Sequence, residues 1–500
     1  MKNKLTAISI LLLAALSCSR GPIPYGKTIS IDRQTLEDKV KGGWFAQTIG
    51  CTYGCPVEFW YCQRMIDDTV AIPWYDGIIK EKFTSNSGLY DDVYMDLSFL
   101  EVMIEQGADA PATAYADHFA HAPFLLFHAN QTGRYNVLNG IYPPASGHWM
   151  NNPHADDIDF QIESDFIGMV CPGRPDKAAV LSDRIGHMMN YGDGWYGGVF
   201  MGTMYSLAYV CDDIEALVRE SLNSIPEGTE FRSTIEAVLE AYAEYPDDWK
   251  ACWQAVEDVF GATDLCPDGV DSPFNIDASI NAAYVVIGLL YGNGDFFRTM
   301  DIATRCGQDA DCNPATAVGI LCVMKGYSSI PEEYRKEAEN IKDETFPYTS
   351  LSLNTATEKT MELMGADENG IKIKVVKPVP VAYEKSFEGL KAKGRVTLDK
   401  SFSDSLSFEF DGNSIFVSGG VFELDHNAPY RESYVARAQA WLDGEMVEEF
   451  LMPNNFCLRK NELFYKYCIG SGHHTLKIVW ENPDPAFRLL ASYYTVFDAE

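Results

Sequence analysis

Along the first two thirds of the chain, apolar residues return every three or four positions. Within 92–106 they fall at Met95, Phe99, Val102 and Met103, and the same spacing runs through 178–189, 234–245, 279–290 and 315–324. This is the period of one helix face, so 31–364 is expected to be mainly α-helical. Glycines such as Gly192 and Gly194, or Gly292 and Gly294, punctuate the pattern. Near residue 370 the period drops to two. Short alternating runs at 371–379, 406–410, 414–417, 438–441, 474–479 and 489–496 are separated by turn signals such as Asp411-Gly412 and Asp443-Gly444. Several short strands at this spacing predict a β-sandwich over 365–500. The expected fold is therefore multidomain: an all-α domain at 31–364 followed by a C-terminal β-sandwich that either braces it or binds carbohydrate.

The N-terminal end reads differently. Lys2 and Lys4 precede a short apolar run at 8–16, and Leu16-Ser17-Cys18 follows. The run is too short for a membrane-spanning helix and has the form of a lipoprotein signal, so 1–17 is expected to be a signal peptide and Cys18 the lipidation site. Residues 18–30, with Gly21, Pro22, Pro24 and Gly26, read as a linker. The mature protein is then exported and lipid-anchored to a bacterial membrane, on the periplasmic face or at the cell surface. With 500 residues and 46% hydrophobic content, the chain can bury a large interior. A formal charge of −33 argues against nucleic acid or anionic lipid surfaces as partners. The 13 cysteines are scattered, without the paired CxxC and His spacing of a zinc site, and no disulfide framework is expected.

Two acidic clusters carry candidate chemistry. Tyr90-Asp91-Asp92 opens one helix, and Gly307-Gln308-Asp309-Ala310-Asp311-Cys312-Asn313 leads into another. Carboxylates at helix N-termini cap free N–H groups, which is their plain structural use. Carboxylate oxygens are also the ligands that hard cations such as Mg²⁺ prefer. A third polar stretch spans 156–165. If it is extended, Asp157, Asp159, Gln161, Glu163 and Asp165 share one side, suited to sugar hydroxyls or metal. Asp193 lies between glycines and aromatics, and His148 and His154 fall in loops beside Trp149 and Pro153.

The clusters acquire a common meaning from a resemblance. Lys41-Gly42-Gly43-Trp44-Phe45-Ala46-Gln47-Thr48-Ile49-Gly50, then Gly54-Cys55-Pro56-Val57-Glu58, resembles the opening of the ADP-ribosylglycohydrolase family, typically G-x-x-x-G-D-x-x-G-x-P-x-E. That family continues with an Asp-Asp pair, here Asp91-Asp92, and closes with G-G-D-x-D-[T/S]-N, here Gly307 to Asn313. The resemblance implies a helical domain with Mg²⁺ in a central cleft, held by Asp91, Asp92, Asp309 and Asp311. It implies Glu58 as the catalytic acid over the substrate. Asp157, Gln161, Asp193, Gly307 and Asn313 are the expected substrate contacts. Three departures bear on the metal. Tyr90 and Val93 replace threonines of the first cluster, and the thiol of Cys312, a poor ligand for Mg²⁺, replaces a hydroxyl. One ion or two are therefore both open. Asp67-Asp68-Thr69 matches the family's Asp-Asp-Thr text better than Asp91-Asp92-Val93, but Pro73 interrupts any helix there, and it is read as a decoy or as a support behind the metal ligands.

Two functions follow. The first is a metal-dependent hydrolase of N- or O-glycosidic bonds on ADP-ribosyl, ribosyl or other glycan substrates. The second is a non-catalytic surface glycan-binding lipoprotein on the same scaffold. The sequence does not address oligomeric state.

Overall fold

The structure is a computed structural model that describes residues 23–424 and 431–500. The expected signal peptide and lipidation site at Cys18 lie outside the described residues. Among the described residues, 17 α-helices lie between Arg33 and Leu363, and nearly all the strands follow them. Among the described residues, no helix is long and apolar enough to cross a membrane.

The helices start where their sequences supply caps. Asp32, Asp213, Thr229, Asp248, Asp277, Asp295, Asp311 and Ser352 each accept a hydrogen bond from a first-turn N–H. Helices Gly192–Ala208, Ala278–Gly292 and Cys312–Lys325 are buried over almost all their residues, with Arg33–Gly54 buried through its second half. They form the centre, and amphipathic helices such as Phe296–Arg305 and Ile214–Ser221 surround them.

Among the described residues there are ten strands: β1 Thr28–Ile31, β2 Ile371–Lys374, β3 Leu390–Phe402, β4 Ser405–Gly412, β5 Ser414–Glu423, β6 Val435–Leu442, β7 Glu445–Pro453, β8 Glu462–Lys466, β9 Gly472–Trp480 and β10 Phe487–Ala499. Two four-stranded antiparallel sheets, β3-β10-β5-β8 and β4-β9-β6-β7, make the sandwich. The sequence pattern misses β3, β7 and β8. All three are sheet edges, and β3 in particular is polar along most of its length, as exposed edges are.

The first sheet is covered on both faces. On β5, Ile415 and Val417 point into the sandwich core, while Phe416 between them packs with Trp149 and Ala155 of the helical body. Tyr467, Tyr493, Phe497, Phe387 and Leu390 complete this interdomain core. A brief alternating strand thus becomes one buried on both sides.

One assignment changes. The sequence reading places 28–30 in a linker and 371–379 with the sandwich. Instead β1 and β2 pair antiparallel, Thr28 opposite Lys374 and Ile31 opposite Ile371. Ile31, Ile373 and Val375 join the helical core. This small sheet fastens the two ends of the helical body together.

Candidate active site

The opening helix, Arg33–Gly54, and the helix Cys312–Lys325 touch without side chains between them. A Cβ at Gly50 would lie 2.4 Å from the Ala315 Cα, and one at Gly54 would lie 1.9 Å from the Ala310 carbonyl oxygen. Glycine at these positions lets the 307–312 turn settle on the end of the first helix. Gly307 and Gln308 both take positive φ, +88° and +53°. Phe59 donates to the Gln308 carbonyl at 3.0 Å and Gln308 to that of Tyr61 at 3.1 Å, so Glu58 and Asp309 are stitched side by side. Gly54→Ala is therefore expected to cost about 1–3 kcal/mol in a urea melt and to weaken cation binding at the turn.

The result is a cavity of about 520 Å³ whose lining includes Glu58, Asp91, Asp309, Asp311 and Cys312. Asp92 lies beneath it, fully buried, with Oδ1 lacking any partner and Oδ2 3.8 Å from the Cys51 sulfur. The three segments named from sequence therefore converge. Asp91, Asp92 and Cys312 have ligand atoms within 4.8 Å of one another, as do Asp309, Asp311 and Cys312. Cys312 belongs to both groups, at the junction where a hydroxyl is expected. Asp311 also caps its helix, accepting from Cys312 N at 3.1 Å.

The remaining predicted contacts separate. Asp157 and Gln161 do not line this cavity. The 156–165 stretch is not extended: Asp159–Ile162 and Asp165–Val170 are short helices. Period-two reasoning therefore selects the wrong side. Asp159 and Glu163, one helical turn apart, face the cavity, joined by Asn130, whose amide N donates to Asp159 at 3.0 Å and whose side chain donates to Glu163. Gln161 faces Gly197 instead, and Asp157 faces His154. Asp193 borders a different cavity of about 310 Å³ with Asp156, Glu230 and Asp277. Gly307 packs on the Tyr61 and Arg64 carbonyls, and Asn313 donates to Asn281 at 2.9 Å while its side-chain oxygen has no partner; neither lines this cavity. His148 lies on a third cleft, of about 760 Å³, with Tyr191 and His187. Asp67 and Asp68 are exposed, the first capping its own turn and the second paired with Lys250. Tyr90 does not line this cavity: its ring packs on Phe83 and Phe346 and its hydroxyl meets Thr52 at 2.9 Å.

Electrostatics show what the cavity needs. No Lys or Arg lines it. Burial, with Asp309 and Asp91 adding their charge, pushes Glu58 up to about 8. Burial and Asp309 raise Asp91 to about 7, and Asp92, Asp309 and Asp311 are raised by burial as well. A crowd of buried carboxylates faced by the single imidazole of His128 holds either protons or cations. Buried oxygens without partners on Asp92, Asp159 and Glu163 add further acceptor capacity. Oxygen-only donors of this kind fit a hard divalent cation, with Cys312 the one soft atom.

A family model described as ADP-ribosylglycohydrolase matches residues 32–364. A solved structure described as an ADP-ribosylglycohydrolase-related protein complex is similar at 12% identity and a TM-score of 0.44, over 66% of this chain and 98% of that one. No curated protein matches the chain. With two thirds of its length matched by the family model, and the motifs gathered in one cleft, the chain belongs to the ADP-ribosylglycohydrolase family.

Proposed function

We propose that this protein is a Mg²⁺-dependent hydrolase of N- or O-glycosidic bonds, acting on an ADP-ribosyl, ribosyl or other glycan substrate. The observation that carries this reading is the meeting of Glu58, Asp91, Asp92, Asp309 and Asp311, from three distant segments, around one cavity.

Asp91, Asp92, Asp309 and Asp311 would hold the cation, which when bound supplies Lewis acidity for a sugar hydroxyl and an acidified water. Glu58, at the cavity edge with its proton affinity raised toward neutrality, takes a proton from the attacking water or returns one to the leaving group. Part of the lining is apolar. Phe59 and Phe274 pack with ring centroids 5.1 Å apart, and Ile158, Ile162 and Ile276 extend the surface. Phe127 and Tyr348, about half exposed, stand at the mouth. A cleft with an acidic side and an aromatic side suits a sugar whose hydroxyls face the acids and whose ring or attached base stacks on the aromatics.

Calorimetry tests the reading. Mg²⁺ should bind the wild type and fail to bind Asp309→Asn/Asp311→Asn, and hydrolysis of ADP-ribosylated or glycoside substrates should disappear with it. Mg²⁺ binding that survives the double substitution would sink the assignment. An exported, Cys18-anchored enzyme would meet extracellular glycans and nucleosides; Cys18→Ser should move the protein from the membrane to the soluble fraction.

A further inference from the structure

On the cavity wall away from Glu58, a second group of side chains has a different chemistry. His128 opens the helix His128–Leu138 with φ +46°, a conformation unfavourable for a residue with a Cβ. Its ring stacks on Phe274, centroids 5.5 Å apart. Its Nδ1 stands 3.4 Å from Oδ2 of Asp157 and 3.4 Å from Oδ2 of Asp268. His154 Nδ1 lies 3.1 Å from the same Asp157 oxygen and 3.9 Å from the same Asp268 oxygen. The four donors come from three separate parts of the helical body.

Three observations point to a ligand among them. His128 Nδ1 is buried yet makes no hydrogen bond, and Asp157, with its side chain at 0% exposure, leaves its other oxygen unpartnered. The spacings are those of a coordination shell. Tetrahedral zinc, with bonds of about 2.0–2.1 Å, sets neighbouring donors about 3.3–3.4 Å apart. The four imidazole–carboxylate separations here are 3.1, 3.4, 3.4 and 3.9 Å, and His128, His154 and Asp157 have ligand atoms all within 4.8 Å of one another, with Asp268 beside them. Finally, the ligand candidates are themselves held. His154 Nε2 meets Glu462 Oε1 at 2.9 Å, and the Tyr493 hydroxyl donates to Asp268. A carboxylate on the far nitrogen fixes the tautomer and orientation of a metal-bound imidazole.

We propose that His128, His154 and Asp157 bind a zinc-class transition-metal ion, with Asp268 closing the shell, where the helical body meets the sandwich. Imidazole nitrogens distinguish this site from the oxygen-rich cluster around Asp309 and select Zn²⁺ over Mg²⁺. Glu462 lies on β8 and Tyr493 on β10, so the sandwich supplies the supports and the helical body the ligands. The ion would fix His128, whose side chain is 24% exposed on the catalytic cavity, and the interdomain contact at once.

The test uses the full chain, stripped with a chelator and titrated with Zn²⁺ and with Co²⁺. One equivalent of Zn²⁺ should bind and resist excess Mg²⁺. Co²⁺ should show the intense visible bands of four-coordinate geometry. Both signals should vanish in His128→Ala and His154→Gln, persist in Asp309→Asn/Asp311→Asn, and weaken about 10–100-fold in Glu462→Gln. Should His154→Gln lose its fold by circular dichroism, His128→Ala decides. Absence of stoichiometric Zn²⁺, pale six-coordinate Co²⁺, or binding that tracks Asp309 and Asp311 instead of His128 would overturn the proposal and leave an ion-paired cluster held by protons.

Discussion

Glu58→Gln should lower kcat by about 10²–10⁴-fold, the range for loss of a general acid or base, while Mg²⁺ affinity measured by calorimetry stays within a few-fold of wild type. Glutamine keeps the size and the hydrogen-bonding oxygen of Glu58 but cannot exchange a proton. Glu58 makes no side-chain hydrogen bond that would mark it as a cap, and it sits where burial, Asp309 and Asp91 hold its carboxyl at about 8. A bound cation favours the ionised form and would bring that value down toward working pH. The acidic limb of the wild-type pH–rate profile should therefore rise with pH and disappear in the variant. Wild-type kcat in Glu58→Gln would transfer the role to another carboxylate on the cavity, Asp159 or Glu163.

Those two residues show where sequence reasoning stops. The convergence of the acidic clusters was legible because their members sit at helix starts, where local rules give Asp91, Asp92 and Asp311 definite positions and the family pattern supplies their partners. The 156–165 stretch was not. Its alternation of polar residues fits a strand, yet tertiary packing folds it into two helical turns, and a change of period from two to nearly four exchanges Asp157 and Gln161 for Asp159 and Glu163. The i, i+4 spacing of that pair is the one local signal that could have found them. Asp193 lies away from that cavity for another reason. Glycines on both sides suggest a flexible loop, but they lie inside the helix Gly192–Ala208, where Gly194 makes room for the Ala155 carbonyl and the Asn190 side chain. The cluster of His128, His154, Asp157 and Asp268 had no linear signature, since the fold alone brings its segments together. The sandwich was legible in its central strands, whose inward faces are apolar, and silent at its polar edges.

Without Mg²⁺ the protein should lose thermal stability as pH rises from about 5 to about 8, and Mg²⁺ should restore it. Proteins whose carboxylates are ion-paired behave the other way, so the sign matters. Glu58 at about 8, Asp91 at about 7, and Asp92, Asp309 and Asp311 all have proton affinities raised by burial. Unfolded, the same groups titrate near about 4. Between these limits the folded state holds more protons than the unfolded state, and stability falls with pH as those protons leave. Asp159 and Asp193, each raised to about 7 chiefly by burial, push in the same direction. A cation that binds only the folded state stabilises it by about 2.7 kcal/mol at a hundredfold excess over Kd. The effect should be greatest near pH 8, where the carboxylates are already free of protons. Asp309→Asn/Asp311→Asn removes two of the crowded charges. At pH 8 in Mg²⁺-free buffer this variant should melt above the wild type, and it should not respond to Mg²⁺. A wild-type melting temperature that is flat or rising from pH 5 to 8 without Mg²⁺ would mean that the carboxylates do not repel one another in the folded state, and the cation site built on that repulsion would fall with it.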